Sequence, residues 1–143
     1  MKYSKQRELV YQTVLESGCH PTADTIYAAV RAQEPSISLG TVYRNLGRLV
    51  EEGLLRRIVL PNTPDRFERR LECHHHILCQ QCGRLFDLEP GSLFDFVQAK
   101  QQIQSGSHFT VTGYTLYFTG ICPDCEQHRN SIPSKPEIET ERK

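Results

Sequence analysis

Two Cys-x-x-Cys pairs constrain this chain more than any other feature: "CQQC" at Cys79 and Cys82, and "CPDC" at Cys122 and Cys125. In each pair, two thiolates three positions apart can converge on one ion. Two pairs complete the closed tetrahedral shell of structural zinc. The pairs are separated by 39 residues, from 83 to 121, which is longer than a zinc ribbon. That interval reads as strand, helix and strand, so the ion would pin together the two ends of a small α+β module. One pair alone would also suit a thiol redox centre, but two are better explained by zinc.

The compartment bears on this choice. No apolar run approaches the roughly 20 residues needed to cross a bilayer, and "MKYSKQRELV" lacks a secretory apolar core. The expected location is the cytoplasm, where six cysteines serve metals rather than disulfides. With 38% hydrophobic and 24% charged residues, a folded rather than disordered chain is expected.

A second ligand-rich run, "HHH" at His74 to His76, precedes the first knuckle. On a strand, His74 and His76 would share one face and His75 would point to the other. Two imidazoles so placed make half a metal site. His20, Glu68 and Asp87 are the candidates to complete it, and carboxylate oxygens would favour Fe(II) or Mn(II). Solvated surface histidines account for the run equally well. Cys19 and Cys73 each neighbour a proposed histidine and are read as non-ligands.

The first half of the chain carries a different signal. Residues 5–17 place Leu9, Val10, Thr13 and Val14 on one helix face, with Gly18 as a stop. Thr22 can cap a second helix, with Asp24 in its first turn and Ile26, Tyr27 and Val30 inward. The third helix runs from Ser38 as N-cap to Gly53 as C-cap. Val42, Leu46, Leu49 and Val50 form its apolar stripe. Thr41, Tyr43, Arg44, Asn45 and Arg48 are expected off the stripe. "LLRRIVL", "PNTPD" and "RFERRL" then read as a hairpin. Three helices and a hairpin are the layout of a winged helix-turn-helix, whose third helix reads the major groove. Lys5, Thr41, Tyr43, Arg44, Asn45 and Arg48 are the candidate DNA contacts. An ordinary polar helix face is the plainer alternative.

Charge is divided accordingly. The net charge is zero, but residues 1–71 hold eleven Lys/Arg against eight Asp/Glu, and residues 72–132 hold three against six. In the second half, "RLFDLE" reads as a strand, and "SLFDFVQAKQQI" as a helix with Leu93, Phe94 and Val97 inward. "HFTVTGYTLYFTGI" reads as a strand with a bulge near Gly113. The polar end is expected to be disordered.

The stretches "HPTADTIY", "SLGTVYRNLGRLVEEGL", "DRFE", "HHHILCQQCG" and "GICPDC", in this order and spacing, resemble the ferric-uptake-regulator family of bacterial metalloregulators. The likeness spans nearly everything from Ser4 to Cys125. A longer N-terminal helix found in many members is absent here. The resemblance implies a homodimer with an N-terminal winged-helix DNA-binding domain and a C-terminal α/β dimerisation domain. It implies structural zinc on Cys79, Cys82, Cys122 and Cys125. It also implies a regulatory site for Fe(II) or Mn(II) on His20, Glu68, His74, His76 and Asp87. The family's further site near the middle histidine would use His75, but the matching position on the later strand is near Tyr114.

Within the family, the short start, "HPTADTIY" and the four-cysteine set resemble the peroxide-sensing branch. There, bound Fe(II) reacts with peroxide and a ligand histidine, by position His20 or His74, is oxidised. Asp87 fits that branch, whereas Glu68 and Arg44 resemble iron-uptake members. The expected protein is therefore an α+β, metal-dependent transcriptional repressor, with peroxide as signal and iron or zinc sensing as alternatives. It is expected to bind an AT-rich inverted-repeat operator. Expected boundaries are 1–67 for the DNA-binding domain, 68–74 for a hinge, 75–130 for dimerisation and 131–143 for a tail. A metal-dependent hydrolase is the rival from another class, but no nucleophile or general base stands apart from the ligands, so no enzyme is expected.

Overall fold

A computed structural model describes residues 4–18, 20–72, 74–89 and 95–131. Three helices open the chain: α1 (Lys5–Glu16), α2 (Ala23–Gln33) and α3 (Leu39–Glu51). Each starts where a hydroxyl satisfies an orphan backbone N–H. Ser4, Thr22 and Ser38 accept from the N–H groups of Arg7, Thr25 and Thr41 at 3.4, 3.3 and 3.1 Å. Thr22 and Ser38 are the caps expected. α1 ends at Ser17 in extended backbone, one residue before the expected glycine. α3 ends at Glu52, with Gly53 just beyond it at φ +72°. There the Gly53 and Leu54 N–H groups donate to Val50 O and Leu49 O at 3.0 and 2.9 Å. This crossed pair needs a left-handed residue after the cap, which glycine supplies without strain.

The helices bury one shared core. Val10 and Val14 of α1, Ile26 and Val30 of α2, and Val42, Leu46 and Leu49 of α3 meet Leu55 and Phe67. Val50 is only partly buried. Leu46 is fully buried whereas Tyr43 on the same helix is 48% exposed. Leu46→Ala should therefore cost about 2–5 kcal/mol in urea unfolding, and Tyr43→Ala no more than about 0.5 kcal/mol. Equal losses at both positions would contradict this placement of α3.

The wing follows as β1 (Arg56–Ile58) and β2 (Arg66–Glu68), antiparallel, with Arg56 opposite Glu68. Its strands are shorter than their β-rich sequences suggest. The second sheet holds β3 (His75–Cys79), β4 (Leu85–Leu88) and β5 (Phe118–Gly120) in the order β4-β3-β5. β3 pairs antiparallel with β4 and parallel with β5. A parallel neighbour requires a crossover, and α4 (Phe96–Gly106) lies within it. Ile58, Leu60 and Leu85 form a smaller apolar cluster, with Leu78 and Tyr117 against it, joining the wing to this sheet.

Three expectations for the second half need correction. Val97 does not face inward: it is 64% exposed, and α4 buries none of its described residues. Leu93 and Phe94 lie outside the described residues. Of "HFTVTGYTLYFTGI", only Phe118–Gly120 enters a ladder, so the strand and bulge near Gly113 do not form among the described residues. Among the described residues, 108–117 join no ladder of this sheet. Finally, α5 (Pro123–Ser131) was not anticipated. Pro123 at its first position, Asp124 and Glu126 in its first turn and Arg129 in its last are the usual helix signals. Ser131, assigned to the tail, ends this helix, and residues 132–143 lie outside the described set. No helix among the described residues is long and apolar enough to cross a membrane.

Candidate metal centres

The four cysteines converge. Cys79 ends β3, Cys82 lies in the turn to β4, Cys122 follows β5 and Cys125 sits in the first turn of α5. The turn depends on Gly83, at φ +72°, whose N–H donates to Cys79 O at 2.9 Å. Gln80 N–H donates to Gly120 O at 2.9 Å, tying the first knuckle to the strand that carries the second. All four sulfurs lie within 4.8 Å of one another, and Cys82 Sγ is 3.8 Å from Cys122 Sγ. Zinc–sulfur bonds of about 2.3 Å in a tetrahedron place the sulfurs about 3.8 Å apart. The donor set and its spacing suit structural zinc.

The surroundings favour the thiolate at Cys79 and Cys82 and the thiol at Cys125. Backbone N–H groups of Cys82 and Cys122 hold the Cys79 thiol down at about 6. The Arg84 guanidinium, then its backbone N–H, lowers Cys82. Cys125 is pushed up to about 12 by sharing a hydrogen bond with the Cys122 thiol and by burial. Arg84 was not singled out from the sequence. It donates to Cys82 Sγ and Cys122 Sγ at 3.4 and 3.6 Å and to Asp124 Oδ2 at 2.7 Å. A cation directly after "CQQCG" was the signal that could have found it, since four thiolates around Zn(II) leave a net negative charge.

His20, Glu68, His74, His76 and Asp87 form the second cluster, each offering a donor atom within 4.8 Å of the others. Asp87 Oδ1 lies 2.7, 3.1 and 3.3 Å from Nε2 of His20, His74 and His76. Glu68 Oε2 lies 3.1, 3.2 and 3.5 Å from the same nitrogens. Local structure explains the convergence. Glu68 ends β2, His74 immediately precedes β3, and His76 pairs with Asp87 across the β3–β4 ladder. His20 arrives from the loop before α2, and its Nδ1–H donates to Leu85 O at 3.1 Å. His74 Nδ1–H likewise donates to Glu72 O at 2.8 Å. A carbonyl only accepts, so these bonds fix the tautomer and leave Nε2 facing the centre. Backbone carbonyls leave no trace in a sequence, which is why these two partners were not foreseen.

The alternative of solvated histidines is excluded. His74, His75 and His76 are 3, 8 and 5% exposed. His75 stands outside the cluster, opposite Leu88. Burial works to raise the Glu68 pKa, but hydrogen bonds from His20 and His76 and the charge on His74 hold it at about 2. Burial opposes protonation of His20, yet its hydrogen bond to Glu68 and the charge of Asp87 raise its pKa. A divalent ion competes with that proton, so occupancy falls as pH drops. Glu68 Oε1 is buried without a hydrogen-bond partner among the described residues. Buried polar groups are normally satisfied, and a cation among these donors would satisfy this one. Three imidazole nitrogens with carboxylate oxygens suit Fe(II) or Mn(II). The two centres are also braced together, since Arg66 donates to His20 O at 3.3 Å and to Gly83 O at 2.5 Å.

The DNA candidates separate. Lys5, Tyr43, Arg44 and Arg48 are exposed, and Thr41 is half-buried. Thr41 Oγ1 accepts from Arg44 Nη2 at 3.1 Å, which orients the guanidinium. Asn45 departs from expectation, being only 8% exposed. It stands three residues after Val42 and four before Leu49, so helical periodicity places it within the apolar stripe.

The model of the ferric uptake regulator family matches residues 1–119. A peroxide-responsive repressor PerR of Staphylococcus saprophyticus is 30% identical over 126 residues, covering 88% of this chain and 83% of that protein. Its Staphylococcus epidermidis counterpart is 29% identical over 130 residues, covering 91% and 85%. The iron-bound ferric uptake regulator of Francisella tularensis superposes with a TM-score of 0.72 over 88% of this chain and 95% of that one; at 23% identity it speaks for the fold. The Campylobacter jejuni peroxide stress regulator superposes with a TM-score of 0.59 at 30% identity, over 84% and 88%. With its winged helix, second sheet and paired donor clusters, the chain belongs to the ferric uptake regulator family.

Proposed function

We propose that this protein is a metal-dependent, DNA-binding transcriptional repressor, relieved by peroxide, whose operator affinity is set by Fe(II) or Mn(II) at His20, Glu68, His74, His76 and Asp87. The observation that carries this reading is the origin of the donors. His20 precedes α2 and Glu68 ends the wing, whereas His74, His76 and Asp87 belong to the second sheet and its approach. Filling such a site fixes the winged helix relative to the sheet. The proposed division is 1–67 for DNA binding, 68–74 for the hinge and 75–130 for dimerisation.

Partners follow from the surfaces. Lys5 and the face of α3 bearing Thr41, Tyr43, Arg44 and Arg48 would enter or flank a major groove. Asn45 contributes at most its edge. Val97 and Ile103 of α4, 64 and 50% exposed, and Phe109, 76% exposed, offer an apolar surface that suits a second copy of the chain. A two-fold dimer would read an inverted repeat, here proposed to be AT-rich, in the cytoplasm. Zinc on Cys79, Cys82, Cys122 and Cys125 would be permanent.

The signal is supported by the names of the staphylococcal relatives, which are peroxide-responsive repressors. Fe(II) held at the site would supply the reducing electron for peroxide. By the family resemblance, the imidazoles oxidised would be His20 or His74, both of which present Nε2 to that centre. Fe(II)-loaded protein exposed to peroxide should gain one oxygen on a peptide containing His20 or His74 and should release its operator. Peptide mass spectrometry beside an operator-binding assay reads both. No adduct on either histidine, with the operator still bound, would favour iron sensing, which Glu68 and Arg44 support, or zinc sensing.

A further inference from the structure

Each carboxylate of the cluster turns its outer oxygen toward a guanidinium. Glu68 Oε2 faces the imidazoles, while Oε1 is buried and, among the described residues, unsatisfied, with Arg56 Nε 3.9 Å away. Arg56 is held in turn by its Nη1, which donates to Glu72 O at 3.3 Å. Asp87 Oδ1 also faces the imidazoles, but its Oδ2 lies 3.7 Å from Arg70 Nη1. Arg70 is itself anchored. Its Nη1 and Nη2 donate to Glu89 Oε1 and Oε2 at 3.2 and 3.4 Å, and Glu72 Oε2 lies 4.0 Å from its Nε. Glu89 is two residues beyond Asp87, so one guanidinium bridges the segment after the wing to the strand carrying the ligand. Arg70 also borders an open cavity of about 360 Å³ that reaches His20, Glu68 and Asp87.

A guanidinium beside a cation site is costly by Coulomb repulsion. What it provides here is orientation, because a carboxylate whose outer oxygen faces a fixed cation resists turning. We propose that Arg70 is a positioning residue that restricts Asp87 to a single-oxygen donor, so that an ion in the regulatory site is held by fewer donors, and less tightly, than its five side chains allow. This rests on the metal-sensor reading of the cluster.

Zinc-containing protein titrated with Co(II) and Mn(II), as wild type, Arg70→Gln and Arg70→Lys, tests the inference. In Arg70→Gln, Asp87 can offer both oxygens and a repelling charge is gone, so Mn(II) should bind about fivefold tighter or more. The visible absorption of bound Co(II) should also weaken, as it does when donors increase toward six. Arg70→Lys keeps a charged donor and should stay within about twofold of wild type, with its Co(II) spectrum intact. Retained zinc and an unchanged circular dichroism spectrum establish that each variant is folded. Tighter Mn(II) binding with an unchanged Co(II) spectrum would reduce Arg70 to a charge effect and overturn the positioning role. An unchanged spectrum and affinity in Arg70→Gln would overturn it outright. If wild-type protein with its zinc in place takes up no Co(II), the metal-sensor reading fails and takes the inference with it.

Discussion

Cys122→Ser should empty the four-cysteine site and unfold the second sheet while leaving the three-helix core folded. Structural zinc in small modules contributes about 10–16 kcal/mol of apparent binding energy, which is folding energy where no site exists in the unfolded chain. Whole domains are stable by only about 5–15 kcal/mol. The sheet has little else to rely on. Its strands are five, four and three residues long, and its apolar cluster contains one buried residue from the sheet itself, Leu85. Cys122 is 6% exposed, its N–H donates to Cys79 Sγ at 3.3 Å, and it joins β5 to α5. Serine supplies a harder, normally protonated donor that Zn(II) does not retain in this setting. By contrast, α1–α3 pack on the separate core around Val42 and Leu46. Hydrogen exchange with zinc quantification measures both halves: amides of β3–β5 should lose protection and those of α1–α3 should keep it. Cys82→Ser should reproduce the effect. Protected β3–β5 amides in zinc-free protein would show that the sheet stands without its metal.

How much of this was legible beforehand depends on where each signal resides. Thr22 and Ser38 were readable as caps because a cap acts on its own next turn. The knuckles were readable because thiol chemistry leaves few alternatives at that spacing. Asn45 was misread because its polar side chain outweighed its angular position, although Val42 at i−3 and Leu49 at i+4 already placed it in the stripe. Val97 was misread for the opposite reason. An apolar position on α4 shows that a face seeks cover, not that the same chain supplies it, and Val97 is 64% exposed. Residues 123–130 were placed in the dimerisation domain without a helix, because "CPDC" was read only as a knuckle, although Pro123 at the first helical position was the local signal. The anchors of His20 and His74 are the carbonyls of Leu85 and Glu72, which any residue could supply. The pairing of Arg70 with Glu89 joins positions 19 apart and becomes visible only once β4 is placed.

His74→Ala should abolish the effect of Mn(II) on operator binding while leaving the zinc and the folded dimer in place. In the wild type, metal and DNA are expected to strengthen each other's binding by the same factor, typically about 5–150-fold, or about 1–3 kcal/mol. His74 is well chosen to remove that factor. Its side chain is fully buried, its Nδ1 is committed to Glu72 O, and its Nε2 lies 3.2 Å from Glu68 and 3.1 Å from Asp87. Alanine removes one of three nitrogen donors and leaves the two carboxylates with His20 and His76 alone. The knuckle is untouched, since its four sulfurs form a separate group and Cys79 lies at the far end of β3. Operator binding with and without Mn(II), together with zinc content and sedimentation, separates the outcomes. Loss of the dimer or of zinc would make His74 a structural residue, and a retained response to Mn(II) would move the sensor elsewhere. The two substitutions would thus be opposites: one is expected to remove a metal that maintains the sheet, and the other the metal proposed to position the helices on DNA.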